Sequence, residues 1–326
     1  MKSQTRATGN RRKVAPKNPS GAKRSAGSGT RSGAASPPAT APKVVASGTP
    51  APVEFSNVEK VMFPGPGYTK GDLLKFYLAI APRLLPHLRD RPVTLERLPG
   101  GVGPGGPRFW QKNTPPYYPK WISRINLPSE AGKPVHYALV NDERTLAYLV
   151  NQGTVTFHTW FSRVEDLDRP DFVVFDLDPG EAAFADVVTI AKTLHGLLDE
   201  QKAESFPKTS GKSGLHVVVP WRQAGGYDEA RAWAMNVAEA AVAELPGIAT
   251  VERAKLARGG RVYVDVMQNA RGHHAVPAYV CRATADATVS TPLEWREVNA
   301  RLDPKKFTIR TVLKRLDRAK SDLMPV

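Results

Sequence analysis

Asp171-Phe-Val-Val-Phe-Asp-Leu-Asp-Pro-Gly180 is the stretch on which the reading of this chain turns. Phe172 to Phe175 is an apolar, β-favouring run, Asp176 and Asp178 close it, and Pro179-Gly180 forces a turn. Strand side chains alternate, so Asp176 and Asp178 share one face. Two neighbouring carboxylates repel unless a positive charge stands between them, and hard carboxylate oxygens suit Mg²⁺ or Mn²⁺. The plainer reading is a pair of solvated aspartates at a strand end, and this stretch alone leaves both open.

Two other stretches add to it. Thr209-Ser-Gly-Lys-Ser-Gly-Leu-His216 leads into the buried run Val217-Val-Val219. It offers backbone N–H groups, the hydroxyls of Ser210 and Ser213, Lys212 and His216, an inventory suited to phosphate. A Walker A loop would need glycine where Phe206 stands, and a nucleophile elbow would need it at Leu215. A plain surface turn feeding a strand is the competing reading. Arg261 to Met267 reads as a further strand carrying Asp265, with Arg258 just before it. Three acids, a phosphate loop and spare arginines are the parts of two-metal phosphoryl or nucleotidyl transfer. Spacing alone does not bring the three acids together, and a solvated strand aspartate is the default for Asp265.

The remaining sequence frames these pieces. The 326 residues suffice for one large domain or two ordinary ones. Nothing approaches the ~18 consecutive apolar residues of a membrane span, and no apolar leader opens the chain. The single cysteine, Cys281, excludes an intramolecular disulfide framework and multi-cysteine metal sites, and a cytoplasmic protein is expected. The formal charge is +15, and residues 1–50 hold ten basic residues and no acid. A polyanion partner, nucleic acid before membrane, follows. Residues 1–52, rich in Ala, Pro, Ser, Gly and Lys, read as a disordered basic tail. Residues 53–326 read as the folded part of the chain.

Within that domain Thr69-Lys-Gly-Asp72 starts a helix with Leu73, Leu74, Phe76, Tyr77 and Ile80 at helical spacing. Lys60 and Lys70 flank the Gly65-Pro-Gly67 turn. Pro92 to Leu98 is a strand, and a mobile Gly/Pro loop follows over 99–107. Phe109-Trp110 and the cluster Tyr117, Tyr118 and Trp121 could stack on bases or pack a core edge. Phe109 and Trp110 are neighbours, so a strand turns only one of them inward. Val155 to Trp160 is a strand with His158 opposite Phe157. Phe184 to Leu198 and Ala230 to Leu245 are helices, Tyr279 to Arg282 is a short strand, and the end from Pro292 is helical. Strands and helices mix without a strict βαβ repeat, so the class is α+β.

Asp176-Leu-Asp178-Pro-Gly, Thr209 to His216 and Val264-Asp265-Val-Met-Gln-Asn269 together resemble the three motifs of the archaeo-eukaryotic primase superfamily. The wording is nearest the polymerase domain of bacterial ATP-dependent ligase D. Phe76-Tyr77, Phe109-x-x-Lys112, His158-x-Trp160 and Ser162 to Pro170 extend the resemblance from about Val53 to the end. It implies a primase-polymerase fold with an RRM-like catalytic sheet and a smaller N-terminal α/β module. It implies a template-dependent polymerase that extends or gap-fills DNA ends in non-homologous end joining, with a preference for ribonucleotides over deoxynucleotides. Asp176, Asp178 and Asp265 would hold two Mn²⁺ or Mg²⁺ ions. Ser210, Lys212, Ser213, His216, Arg258 and Arg282 would hold the incoming triphosphate, with His158 beside its sugar. Phe109 and Trp110 would meet the templating base, and Lys60 and Lys70 the 5′-phosphate of a gap.

Three departures stand out. The phosphate lysine, Lys212, is shifted by one position. Glu96 stands where relatives can carry a lysine, which weakens a basic contact. The 99–107 loop is long and glycine-rich. No ligase or nuclease portion is present, so the resemblance implies a stand-alone polymerase in the nucleoid working with a separate DNA ligase and a Ku-like end-binding protein. A de novo primase, a non-catalytic DNA-end binding protein and a metal-dependent nuclease are the alternatives. The first shares the same three acids, the second would have no use for carboxylates facing phosphate, and the third would need no triphosphate cradle.

Overall fold

The computed structural model describes residues 44–45, 53–128, 132–316 and 323–324. The chain divides into Met1–Ala41 and Pro42–Val326, and every described residue belongs to the second unit. The tail expected over 1–52 therefore lies outside the described residues, apart from Val44–Val45.

In chain order the first half contains β1 (Val44–Val45), β2 (Val61–Phe63), β3 (Tyr68–Thr69), α1 (Lys70–Leu88), β4 (Val93–Arg97), β5 (Phe109–Gln111), β6 (Arg124–Leu127), β7 (Val135–Ala138), α2 (Glu143–Asn151) and β8 (Thr154–Thr159). The second half contains β9 (Phe172–Asp178), α3 (Phe184–Glu200), β10 (Phe206–Thr209), β11 (Leu215–Pro220), α4 (Tyr227–Glu244), β12 (Ala249–Thr250), β13 (Val262–Asp265) and α5 (Ile309–Leu316).

Helix α1 begins where the sequence signals it. The Thr69 hydroxyl accepts from the Asp72 N–H, and Asp72 accepts from the Thr69 N–H, a reciprocal capping box. Leu73, Leu74, Phe76, Tyr77 and Ile80 are all buried. They pack with α2 and the sheet β1-β6-β7-β4-β5, to which β8 adds by pairing with β4.

The second sheet has the order β10-β11-β9-β13-β12. Its strands β9, β10, β11 and β13 with α3 and α4 follow a β-α-β-β-α-β course, the RRM-like arrangement expected. The alternation of β9 explains its two faces. Val173, Phe175 and Leu177 turn toward α3 and α4, joined by Leu215, Val217, Val219, Val262 and Val264. Val174, Asp176 and Asp178 turn the other way, and Val174 and Val218 belong to the core shared with the first sheet. One face of the catalytic sheet is thus sealed by helices, and the other is left to carry polar chemistry.

Several expectations need correction. Tyr279 to Arg282 is not a strand. Tyr279 adopts φ +67°, which interrupts an extended run, and only the isolated bridge Cys281↔Val289 forms. The segment after Pro292 is not continuously helical: two short 3₁₀ turns, Trp295–Glu297 and Pro304–Lys306, precede α5, its one α-helix among the described residues. Neither Phe109 nor Trp110 faces a core, because β5 pairs with β4 alone and lies at the sheet edge; they are 51% and 52% exposed. Tyr118 is buried, whereas Tyr117 is exposed.

Candidate active site

The two faces of the catalytic sheet decide where the acids go. Asp265 on β13 is the register partner of Asp176 on β9. His216 on β11 is the partner of Asp176 on its other side, and Lys208 on β10 is the partner of His216. Cross-strand partners project to the same face. Lys208, His216, Asp176 and Asp265 therefore form one row across four strands. Asp178, two residues beyond Asp176 and opposite Tyr263, widens the row at its open end.

Asp176, Asp178, Asp265, Tyr263 and His216 line a cleft of about 660 Å³ together with Ser210, Lys212, Ser213, Arg258 and Arg282, with Lys208 buried behind His216. The structure thus gathers nine of the fourteen residues singled out in the sequence: Asp176, Asp178, Asp265, Ser210, Lys212, Ser213, His216, Arg258 and Arg282.

Each carboxylate has a distinct setting. Asp178 lies 3.2 Å from Arg258 Nη1, and the guanidinium of Arg258 lies over the Tyr263 ring at 4.0 Å. Asp265 accepts from the Tyr263 hydroxyl at 3.2 Å and the Met267 N–H at 2.8 Å. The Asp176 side chain keeps 34% of its surface open. Burial of the remainder and the facing Asp265 charge push its carboxyl up to about 7. No group of three His, Cys, Asp or Glu among the described residues is arranged, as it stands, to hold a metal ion.

The Ser210–Gly214 loop closes over the end of β9. Ser210 Oγ accepts from the N–H groups of Lys212 and Gly214 at 3.2 and 3.1 Å. Gly214 crosses so near β9 that an added Cβ would stand 2.0 Å from the Leu177 carbonyl oxygen. Lys212 and Ser213 lie exposed at the rim. Arg282 is buried and donates from Nη1 to the Ser210 carbonyl at 2.8 Å, while its buried Nε has no partner. A buried cationic donor left unpaired beside a loop of N–H groups suits an anion. His216 is buried, and burial and the Lys208 charge hold its pKa well below the usual imidazole value.

The other five predicted residues lie outside the lining of this cleft. His158, on β8, is 7% exposed, and burial pushes its pKa down to about 4. It is near enough for the Arg282 and Lys212 charges to act on it. Trp110 meets its ring edge-on at 4.9 Å and stacks at 6.3 Å on His274. Trp110 thus lies beside a histidine pair, and both Trp110 and Phe109 keep about half of their surface open. Lys60 and Lys70 belong to the N-terminal elements. Lys60 Nζ donates to the Pro99 carbonyl at 2.5 Å, and Lys70 Nζ donates to Asn151 at 2.9 and 3.2 Å. Lys70 is 5% exposed, so the reading of two free surface lysines fails for it.

Sequence reading missed Lys208, His274 and Asn151, and read Glu96 only as a lost basic contact. Lys208 and His274 carry no motif of their own. Glu96 is fully buried, pairs with Arg108 and lies 3.9 Å from His158 Nε2. Instead of merely lacking a lysine's charge, it anchors a cation beside Trp110. Asn151 becomes visible only once α2 packs beside α1. For Lys208 the period-two alternation of β10 against His216 is the signal that could have found it.

Comparison with known proteins identifies the family. The family model for the LigD primase-polymerase domain matches residues 69–324. The multifunctional non-homologous end joining protein LigD of Mycolicibacterium smegmatis is 32% identical over 279 residues, covering 84% of this chain and 36% of that protein. The bifunctional LigD of Bacillus subtilis is 33% identical, covering 81% of this chain and 42% of that protein. The chain thus spans about two-fifths or less of the length of these relatives. Among solved structures, the polymerase domain of Mycobacterium tuberculosis ligase D in complex with DNA superposes with a TM-score of 0.76 at 29% identity, over 82% of this chain and 94% of that one. A matched model over most of the chain, relatives above 30% identity and a shared fold lead to one conclusion: this chain belongs to the LigD primase-polymerase domain family.

Proposed function

We propose that this protein is a template-dependent nucleotidyltransferase that extends or gap-fills DNA ends in break repair. The observation that carries this reading is the cross-strand pairing of Asp176 with Asp265, with Asp178 beside them, in the same cleft as the Ser210–His216 loop and Arg282. The reaction is attack by a primer 3′-hydroxyl on the α-phosphorus of a nucleoside triphosphate, releasing pyrophosphate.

The donor set fits divalent cations. Three carboxylate oxygen donors and no sulfur favour hard ions such as Mn²⁺ or Mg²⁺. The upward push on the Asp176 carboxyl comes first from burial and then from the facing Asp265 charge, and a bound cation would favour the ionised form against both. Asp176 and Asp178 would hold both ions and Asp265 one of them. Bound there, the ions would supply Lewis-acid stabilisation of the attacking and leaving oxygens. Each protein group has its own task. Arg282, with its unpaired Nε, the N–H groups of the 210–214 loop, Ser210, Lys212, Ser213 and His216 bind the triphosphate. Arg258 is placed to spread charge at its tail. His158, neutral and buried, sits beside the sugar, where a preference for ribonucleotides would be set. Phe109 and Trp110 offer stacking faces to the template. Lys60 and Lys70 hold a 5′-phosphate across the gap. A DNA ligase, in the same or another chain, and a Ku-like end-binding protein would complete the repair. The basic residues of 1–50 would add salt-sensitive affinity for DNA.

Supplying Mn²⁺ with labelled ribo- and deoxynucleotides to single-stranded, primed and gapped DNA tests this directly. Template-directed addition to the primed and gapped substrates, ribonucleotides first, is the expected result. Failure to extend any of them by a folded protein, with either ion, would overturn the assignment.

A further inference from the structure

Lys208 closes the inner end of the row that Asp265 opens, and no step described above uses it. Its side chain is 3% exposed. Its Nζ lies 2.8 Å from His216 Nδ1, 3.0 Å from the Val276 carbonyl oxygen and 2.8 Å from Ser290 Oγ. The Val276 carbonyl can only accept. The Ser290 hydroxyl gives its one proton to the Thr209 carbonyl at 2.9 Å, so toward Lys208 it accepts as well. An ammonium has three N–H donors. Two go to these fixed acceptors, and the third points at His216 Nδ1. That nitrogen must then present its lone pair, and the ring proton resides on Nε2. His216 Nε2 lies 3.4 Å from Asp176 Oδ1 and faces the cleft.

We propose that Lys208 is a positioning residue whose ammonium fixes His216 as the Nε2–H tautomer, making the imidazole a hydrogen-bond donor toward Asp176 and a phosphate oxygen of the incoming nucleotide. The arrangement has one consistent alternative. A neutral lysine amine would spend both protons on Val276 and Ser290 and turn its lone pair to Nδ1. His216 would then carry its proton on Nδ1 and aim a lone pair at phosphate and at the ionised form of Asp176, a repulsive contact with both. Burial ties the two residues together, since water cannot substitute for either partner.

The phosphate half of this inference rests on the nucleotidyltransferase reading, whereas the tautomer does not. The test is ¹⁵N NMR of the full chain labelled at histidine, without nucleotide or metal, with His216 assigned by difference against His216→Gln. The expected spectrum has a protonated Nε2 and an acceptor Nδ1, and folded Lys208→Met shifts the proton toward Nδ1. The same variant raises KM for the incoming triphosphate about tenfold, the loss of one hydrogen bond to a charged group, and leaves DNA affinity unchanged. A protonated Nδ1 in the unsubstituted protein overturns the proposal without any variant. So does an unaltered His216 tautomer in folded Lys208→Met. A protonated Nε2 in a protein that extends no primer supports the Lys208 assignment and places the failure in the polymerase reading.

Discussion

Asp176 and Asp265 are cross-strand partners on β9 and β13, and the charge of Asp265 adds to burial in pushing the Asp176 carboxyl up to about 7. Like charges placed directly opposite weaken a sheet. A sheet that keeps them there is trading stability for chemistry. Replacing Asp265 with Asn should therefore stabilise the cation-free fold slightly, by about 0.5 kcal/mol. The same change should lower primer extension at least about 10²-fold, as losing a preorganised electrostatic group does, and leave DNA binding intact. Asp176→Ala should be equally inactive. Thermal unfolding and extension assays on the same preparations check both, and full activity in either variant would falsify the catalytic role.

Asp176 also predicts a pH dependence. Its folded value lies above its unfolded one, so the folded protein holds the proton more tightly. This favours folding at acid pH, and the benefit fades as pH rises from about 4 through about 7. A divalent cation competes with that proton, so it should stabilise most above pH 7 and little at pH 5. At a hundred times its Kd an ion adds about 2.7 kcal/mol, a rise in Tm of about 5–10 °C for a domain of this size. Melting curves at pH 5 and pH 8, with and without Mn²⁺, measure it. A shift that is equal at both pH values, or one that persists in Asp176→Asn, would sink the assignment.

The sequence carried the fold well where one local rule was enough. The Thr69/Asp72 capping box, the period of α1 and the alternation of β9 are all local, and each leads to the observed element. The three acids could be nominated but not assembled, because register between β9 and β13 is set by strand order, which no spacing in the chain encodes. Lys208 was passed over, and Glu96 was read only as a missing basic contact, for the opposite reason. A charged residue is read as solvated by default, and only packed neighbours reveal that both are buried. The strand expected over Tyr279 to Arg282 failed at one backbone angle, the positive φ of Tyr279, that composition does not announce.

Phe109 and Trp110 stay half exposed because β5 is an edge strand, so truncating them leaves the hydrophobic core clusters intact, and Trp110 gives up its ring contacts with His158 and His274. Stacking on a base is worth about 1–3 kcal/mol. Phe109→Ala and Trp110→Ala should each weaken binding to primed template about 5- to 100-fold with Tm nearly unchanged. Fluorescence anisotropy with a labelled template reads the effect. Wild-type affinity in both variants would remove these rings from the DNA surface.

Lys60 and Lys70 are bound to each other through the Lys70 N–H and the Lys60 carbonyl at 2.7 Å. Burial and the Lys60 charge lower the pKa of Lys70. No carboxylate pairs with either among the described residues, so an anion has two cations to meet. The Lys60→Ala, Lys70→Ala double variant should lose about 10-fold or more of its preference for a 5′-phosphorylated gap, the range of hydrogen bonds to a charged group. Competition between phosphorylated and unphosphorylated gaps measures this. Indifference of the unsubstituted protein to the phosphate would count against the role.

Gly214 tests whether the phosphate loop and the acid-bearing strand act as one unit. Its backbone passes so close to β9 that a Cβ would lie 2.0 Å from the carbonyl oxygen of Leu177, the residue between Asp176 and Asp178. Leu215 pairs in register with Leu177, so this contact is where the loop is fastened to the sheet. A methyl group there must push the Ser210–Gly214 turn away from the carboxylates, because backbone on both sides cannot yield as a side chain could. Gly214→Ala should therefore cost more in triphosphate binding than Ser213→Ala, whose side chain lies exposed at the rim. The expected loss in kcat/KM for the nucleotide is about 10²-fold, as expected when a site is displaced by about 1 Å. DNA binding through β5 should persist, since that edge belongs to the other sheet. Equal kinetics for Gly214→Ala and Ser213→Ala would show that the loop tolerates displacement and that its N–H groups do not hold the substrate.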